Sequence, residues 1–536
     1  MIIKLNNLTI RAYSISPETI TIDQNLTPFI AQHLQIKESD IIEYKILSKA
    51  VDSRRGAPAL VYKLTATLHD NEVAKACIEY KVSDEELQKN LDAKLEFPNA
   101  PAGLKNPLII GSGPAGLMAA LVLAQSGCEP VILERGHDVE KRTVDIDKFH
   151  QTRKFNPDSN YLLGEGGAGT FSDGKLYTRT NDPRARFVLK TFAGAGAPDE
   201  ILYVKRPHIG SDKLPDMVRG IREQIEQAGG KFLFGTRVKE LIIENNKCRG
   251  VITQDNERIE APAVIAAHGL GGRSFTHKLI EQGVEFAMKG FQIGCRIEHP
   301  QSLIDENQYR VPARPAWLGA AEYHLSNRKN DLYNIAGSSS FCMCPGGIIV
   351  PAGLEPGHLS TNGMSKYARD GKFANSCLIV SQEEDMFDNP HQAYKFLRGL
   401  ESKAFGLGGG DYTAPAQDAR AFVKGKLALK NEETSYSFGL KSARIDELLP
   451  AKTAEAIVIA LRKFDSSFHG FLKHGKIIGI ETFISSPIRF PRNSETLSAS
   501  VDKLYISGEG AGYAGGILSA AVDGVKIAEK LLEAKY

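Results

Sequence analysis

Between Pro107 and Gly136 the chain reads as a strand, a glycine turn, a helix and a second strand, an order that restricts the fold tightly. The apolar run Leu108-Ile109-Ile110 meets Gly111-Ser112-Gly113-Pro114-Ala115-Gly116. An apolar, helix-like stretch follows, and Val131-Ile132-Leu133-Glu134-Arg135 closes the unit. Each glycine of a G-x-G-x-x-G turn has its own task. Gly111 lets the backbone leave the strand sharply, Gly113 leaves room for a pyrophosphate beside the main chain, and Gly116 allows helix and strand to pack closely. The helix start adds free N–H groups and the positive end of its dipole. Glu134 stands about 20 residues beyond the glycines, where an acid can accept a hydrogen bond from a ribose hydroxyl. Together these predict a dinucleotide site; the glycines alone would also suit an ordinary α/β sheet.

A chain of 536 residues is too long for one core. The 66 basic and 64 acidic residues give a net charge of +2, too small a field to indicate nucleic acid or an anionic membrane as partner. The start, Met1-Ile2-Ile3-Lys4-Leu5, lacks the apolar core of a signal peptide. No apolar run approaches the length of a membrane span. Seven cysteines, an odd number spread widely, fit reduced thiols, so a cytoplasmic protein with a small-molecule substrate and no membrane partner is expected. Oligomeric state leaves no mark in the sequence.

Residues 1–97 carry alternating runs at Ile2–Ile10, Ile41–Lys49, Leu60–Leu68 and Ala76–Val82, with helical spacing at Leu26–Leu34, which predicts a small βαββ-like module. Asp52-Ser53-Arg54-Arg55-Gly56 reads as a turn between two of its strands. The proline- and glycine-rich residues 98–106 form a linker. Residues 107–290 hold the first part of the nucleotide-binding domain. They include a helix over 211–229 with Leu214, Val218, Ile221 and Ile225 on one face, and a three-stranded meander opening at Val238 and turning at Asn245-Asn246. A buried strand, Ala263–Ala267, then ends at His268-Gly269. Residues 291–486 read as an inserted α+β substrate domain. Residues 487–536 return to the nucleotide fold with Tyr505-Ile506-Ser507-Gly508-Glu509, Gly515-Gly516 and a helix from Ile517. The fold class is α/β.

Three separated pieces, Gly111–Glu134, Ala266–Gly272 and Tyr505–Gly516, together resemble the FAD-binding core of flavoproteins of the glutathione-reductase structural type. The loop Gly164-Glu165-Gly166-Gly167-Ala168-Gly169-Thr170-Phe171-Ser172-Asp173-Gly174-Lys175-Leu176, the stretch Phe341-Cys342-Met343-Cys344-Pro345-Gly346-Gly347, and Glu509–Gly516 are similar to a bacterial group of uncharacterised FAD-dependent dehydrogenases. The resemblance implies FAD as cofactor. Gly111 to Gly116, Glu134, Arg135, Val238 and Gly269 would serve its ADP half, with Gly508, Glu509, Gly515, Gly516 and Ile517 at the ribityl chain and flavin. A glycine loop such as 164–174 can form a backbone nest or wrap a ring, so Gly166, Gly167, Ser172 and Lys175 join the cofactor candidates. A second nucleotide motif is missing, so NAD(P)H would visit only as a transient electron donor.

Four residues are candidates for catalysis. Cys342 and Cys344 could relay electrons as a strained disulfide, or one could be a nucleophile if its pKa is lowered; they could also be inert thiols packed beside a turn. With only Cys377 and His358 nearby they make a poor zinc set, and no metal is expected. Asn375, in Ala374-Asn375-Ser376, could line the substrate face or bond its own backbone in a turn. His268 could act as acid or base near the flavin, or cap a strand end. The leading expectation is an FAD-dependent oxidoreductase exchanging hydride or two electrons with a small molecule or NAD(P)H. Two alternatives stand beside it. One is a flavin monooxygenase, weakened because His268 occupies the position of the aspartate in the hydroxylase Asp-Gly motif. The other is an RNA-modifying flavoprotein using the N-terminal module, which the balanced charge opposes.

Overall fold

The computed structural model describes residues 1–16, 22–54, 57–69, 95–177, 182–311, 313–329 and 336–534. Its organising element is a five-stranded parallel sheet in the order Leu504–Ile506, Val264–Ala266, Leu108–Ile110, Val131–Leu133, Lys231–Leu233. Each strand is only three residues long, and the register is flush, Ile110 lying opposite both Leu133 and Ala266, and Ala266 opposite Ile506. All carboxyl ends therefore finish in one row. From Leu108–Ile110 the chain builds outward on one side, then returns to the other side through Val264–Ala266. The topology thus switches above Ile110, where an open α/β sheet forms its ligand crevice.

Burial on both faces explains why the inner strands Leu108–Ile110 and Val264–Ala266 and the strand Leu504–Ile506 read as unbroken apolar runs, whereas the edge strand Lys231–Leu233 is largely exposed. The helices Pro114–Gln125 and Ile517–Glu533 cover one face of the sheet and pack tightly, because Gly524 lets the backbone at Ala115 approach: a Cβ on Gly524 would sit 2.1 Å from the Ala115 carbonyl oxygen. The meander Val238–Glu244, Lys247–Thr253, Arg258–Glu260 is antiparallel, and Asn245 and Asn246 both take positive φ, as a two-residue hairpin turn requires.

A second sheet of seven strands gathers residues 326–327, 338–344, 373–382, 291–300, 476–481, 414–418 and 440–442 in that order, antiparallel except for its last pair. The chain thus combines a Rossmann-like FAD-binding fold with a substrate domain. The central strand Phe291–Pro300 alternates. Ile293, Cys295 and Ile297 join the apolar cluster that includes Ile457, Leu461 and Phe464 of the Ala451–Ser467 helix, whereas Arg296 and Glu298 point the other way. That second face is also buried, beneath the hairpin Ile348–Ala352/Ser360–Met364, and directly paired residues place Asn375 and Cys377 on it beside Glu298 and Arg296. A sheet face both polar and closed to water is what a binding site needs.

The N-terminal residues form the expected βαβ and third strand, Ile2–Arg11, Thr27–Leu34, Ile41–Asp52 and Ala59–Leu68. The run Ala76–Val82 lies outside the described residues, as do Arg55 and Gly56. Asp23 ties the module to the body: its carboxylate accepts from Tyr62, Lys49 and, across the junction, the Tyr203 hydroxyl at 3.1 Å. No helix among the described residues is long and apolar enough to cross a membrane.

Candidate FAD site and substrate face

Three glycine turns meet over the carboxyl ends of the parallel sheet. At Gly111, φ is +97° and a Cβ would lie 2.6 Å from the Ala267 carbonyl oxygen, so only glycine fits between the two central strands. Gly116 is bound more tightly still, its hypothetical Cβ only 2.0 Å from the Gly111 oxygen. Gly113 differs. Its nearest neighbour is the Gly167 Cα at 4.0 Å, and Gly269 and Gly515 have nothing within 4 Å. Glycines that shape the fold thus stand beside glycines that leave space, and the space opens onto the starts of two helices, at Gly113 and Gly516. Unpaired N–H groups at both starts can receive the pyrophosphate and an electron-rich ring edge. These residues fit FAD.

Glu134 is buried, and its carboxylate accepts from the Ser112 N–H (3.0 Å), the Ser112 hydroxyl (2.7 Å) and the Gly136 N–H (2.9 Å). It shapes the first turn as well as facing the cleft, which is also lined by Arg135, Leu163, Arg237, Val238, His268 and Phe275. Arg135 is held by Asp158 at 2.7 Å. His268 sits in this same cleft, with Nε2 on the Thr276 hydroxyl at 3.0 Å; burial drives its pKa down to about 4. Burial thus favours the neutral ring, and the structure sets His268 in the cleft of Glu134 and Arg135. Because the helix from Arg273 follows directly, the residue turns back onto its own strand end.

The Gly164–Leu176 loop divides in two. Its first half closes on the nucleotide turn: the Gly166 N–H donates to the Ser112 carbonyl at 2.9 Å, a Cβ on Gly167 would lie 3.2 Å from the Gly113 Cα, and Gly169 abuts Ile517. Arg142, fully buried, donates to the carbonyls of Asn160 and Glu165 and lies 4.9 Å over the Phe171 ring, bracing this half from behind. Ser172 does not face a ligand, because its hydroxyl donates to the Gly169 carbonyl and accepts from the Gly174 N–H. Turning away from the nucleotide, the second half reaches the substrate domain, where Asp173 takes two hydrogen bonds from Arg369 at 3.0 and 2.5 Å. Lys175 lies on that side.

At the third turn, Asp523 on the last helix accepts from the Gly508 N–H, the Ser507 hydroxyl and both Arg492 Nη atoms, and Arg492 in turn lies 4.0 Å under the exposed Tyr513 ring. Burial works against the charge on Asp523, but these donors outweigh it and hold its pKa below the usual carboxylate range. A depressed folded-state pKa stabilises above about pH 4, and that contribution is lost as pH falls through the folded value. Asp523→Asn is therefore expected to flatten acid unfolding below pH 4 and to speed FAD loss, checked by melting curves across pH and by flavin fluorescence on dilution. Glu509 shows the opposite sign. Burial raises its carboxyl to about 7 despite Lys289, so its stabilising effect is full below about 4.5 and lost as pH rises to 7. Glu509→Gln is expected to raise the melting temperature of FAD-free protein at pH 8 and to leave that at pH 4 unchanged.

Asn375 is in the strand Phe373–Gln382, not in a turn, and it is wholly buried with neither end of its carboxamide hydrogen-bonded. Cys342 and Cys344 are free thiols on the strand Ser338–Cys344. A bulge after Phe341 and a φ of +44° at Cys342 turn their side chains apart, one exposed and one buried. Desolvation by the protein packed around it pushes even the Cys342 thiol, whose surface reaches solvent, up to about 12 against the pull of Lys175 and Arg296, and burial raises that of Cys344 as well. Neither the disulfide nor the low-pKa nucleophile matches this arrangement.

Sequence reasoning missed Arg296, which is fully buried and joins Glu481 (3.0 Å), the Cys342 carbonyl (3.1 Å) and Asn362 Oδ1 (2.9 Å). It also missed Asp173, Arg369, Arg492 and Asp523.

Residues 106–145 and 168–295 match two families described as FAD binding domain, and residues 290–483 match the FAD-dependent protein, C-terminal domain-like family. A probable electron transfer flavoprotein-quinone oxidoreductase of Escherichia coli K12, YdiS, is 26% identical over 31% of this chain and 38% of its own length. The crystal structure of glycine oxidase from Bacillus cereus aligns over 81% of this chain and 96% of that one, at 11% identity and a TM-score of 0.35. An uncharacterised protein of Clostridium beijerinckii is 38% identical over 99% of both chains. With that full-length match and the FAD-binding families along its sequence, this chain belongs with the Clostridium protein to one family of FAD-dependent proteins.

Proposed function

We propose that this chain is an oxidoreductase for a small molecule, with FAD as its electron-carrying group and NAD(P)H as a transient donor. When bound, FAD supplies two-electron, hydride-type chemistry. The residues of this chain hold and shield it. N–H groups following Gly113 would receive the pyrophosphate, the cleft of Glu134, Arg135 and Val238 would enclose the adenosine end, and the turn from Gly508 to Ile517 would face the ring. The observation that carries the reading is the Gly164–Leu176 loop, which touches the nucleotide turn at one end and, at the other, Arg369 in the turn of the substrate domain that leads into the strand of Asn375. A substrate lying against the polar sheet face would adjoin the cofactor turns without opening the adenosine cleft. YdiS, named as a probable electron transfer flavoprotein-quinone oxidoreductase, agrees with an electron-carrying role.

The test is an absorption spectrum of purified protein followed by anaerobic titration with NADH and then NADPH. Bands at about 370 and 450 nm that bleach on titration are the expected result. Bands that resist both donors would move the electron source to the substrate. Their absence after FAD supplementation would overturn the reading.

A further inference from the structure

Behind the Cys342 bulge the substrate sheet carries charges that are nearly all matched internally. Arg296 is paired with Glu481, and Arg369 with Asp173. Lys175 is the exception. It is half-buried and faces the Asp173 carboxylate and the Cys342 and Cys344 thiols by charge, yet no hydrogen bond or ion pair of its ammonium is formed among the described residues. Its backbone is fixed from both sides. The Gly210 N–H donates to the Asp173 carbonyl, the Ile209 N–H to the Gly174 carbonyl, and the Leu176 N–H to the Pro207 carbonyl. Asp173 is locked to Arg369, whose own backbone abuts Gly346, two residues beyond Cys344: a Cβ on Gly346 would lie 2.0 Å from the Arg369 carbonyl oxygen. This chain of contacts sets Lys175 beside the cysteine-bearing strand, away from the nucleotide turn.

Asn375 is a second and independent sign. It pairs in register with Cys344, and its Oδ1 and the Arg296 guanidinium converge on Gly363, where any Cβ would meet them at 2.2 and 2.9 Å. Both polar atoms of its buried carboxamide lack partners, as does the buried Ser365 hydroxyl. Leaving such groups unpaired in a site closed to water is costly, so native structures satisfy them with water or ligand. A half-buried ammonium that shares the Asp173 carboxylate with Arg369, beside unspent amide and hydroxyl groups, suits an anion with hydrogen-bonding oxygens.

Resting on the oxidoreductase reading above, we propose that Lys175 and Asn375 form the substrate's anchor, a subsite for a small carboxylate beside Cys342. Lys175 supplies the counter-charge, and Asn375 donates from Nδ2 to a carboxylate oxygen. Cys342 and the Arg296-held backbone form the wall that sets how far the substrate reaches. Lys175 thereby moves from the cofactor residues to the substrate residues.

Calorimetric titration of the FAD-loaded protein with succinate and with benzoate, and with benzamide as the neutral control, tests this. At least one carboxylate is expected to bind where benzamide does not. Lys175→Met is expected to weaken that binding by roughly tenfold or more, the worth of a charge-assisted hydrogen bond, with FAD content and midpoint potential unchanged. Asn375→Ala should weaken it by a smaller factor, with melting curves showing that the variant folds. Failure of both carboxylates to bind would overturn the subsite. So would a Lys175→Met protein that binds them normally but has a shifted midpoint potential, since the cation would then serve the reduced ring. Because FAD content is read separately from the flavin band, loss of the oxidoreductase reading shows as missing flavin and not as missing carboxylate binding.

Discussion

Protein carrying Gly116→Ala is expected to emerge from purification without FAD and less stable, while Gly113→Ala folds normally and merely holds FAD more weakly. Both residues belong to one motif, yet the consequences part because of what a methyl group would meet. At position 116 it would strike the Gly111 carbonyl oxygen at 2.0 Å, backbone against backbone, so the helix must lift from the strand. Overpacking of this kind costs about 1–3 kcal/mol, and more where no side chain can yield. At position 113, φ is −70°, a value open to alanine, and the nearest atom is 4.0 Å away. Only the ligand would notice. Melting curves with and without added FAD, alongside the ratio of flavin to protein absorbance, separate the two outcomes. Equal destabilisation would mean that Gly113 too is a packing residue.

Arg296→Ala should be the most damaging single change in the substrate domain. It strands Glu481 in a site closed to water and takes donors from the Cys342 carbonyl and Asn362. Removing one member of a buried ion pair costs about 3–5 kcal/mol, because the other charge is left unmatched. Arg296→Met combined with Glu481→Leu should recover much of this, since an apolar pair of similar size incurs no charge burial. Full recovery is not expected, as the Cys342 carbonyl and Asn362 still lack a donor, at about 1–3 kcal/mol apiece. Denaturant titration of the wild type, the two single variants and the double variant gives the coupling directly. Were Arg296→Ala and the double variant equally stable, the pair would be no more than a packing contact.

How much of this was legible beforehand follows from the distance over which each signal acts. The nucleotide turn was read in full from Pro107 to Glu134 because every requirement there is local: a strand, a tight turn, a helix start. The meander turn at Asn245-Asn246 yielded for the same reason. At position 375 composition left the substrate face and a turn both open, since Ala-Asn-Ser suits either, and only the long strand that runs through it between two partners decides against the turn. The strand Phe291–Pro300 shows a deeper limit. Its alternation of Ile293, Cys295 and Ile297 with Arg296 and Glu298 would suit a sheet with one face in water just as well. Only the hairpin at 348–364, brought in from beyond, reveals the polar face as interior. Asp523 and Arg492 left no trace either, because an acid on an amphipathic helix is ordinary until three donors from another turn are seen around it. For Cys342 and Cys344 the sequence left disulfide, nucleophile and inert thiols open together, because the bulge that turns the two side chains apart has no local signature.

Most buried apolar residues of the first 68 positions, from Ile3 to Leu68, belong to the same continuous cluster as Ile297, Tyr394 and Phe464 of the substrate domain. That makes the N-terminal module an organ of this body and not a cassette. It cannot be cut away, transplanted or treated as a reader head on a tether without baring an oily wall on what remains. Whatever the module contributes, it contributes while fixed in place, and its history should be bound to that of the substrate domain more closely than to that of the nucleotide fold.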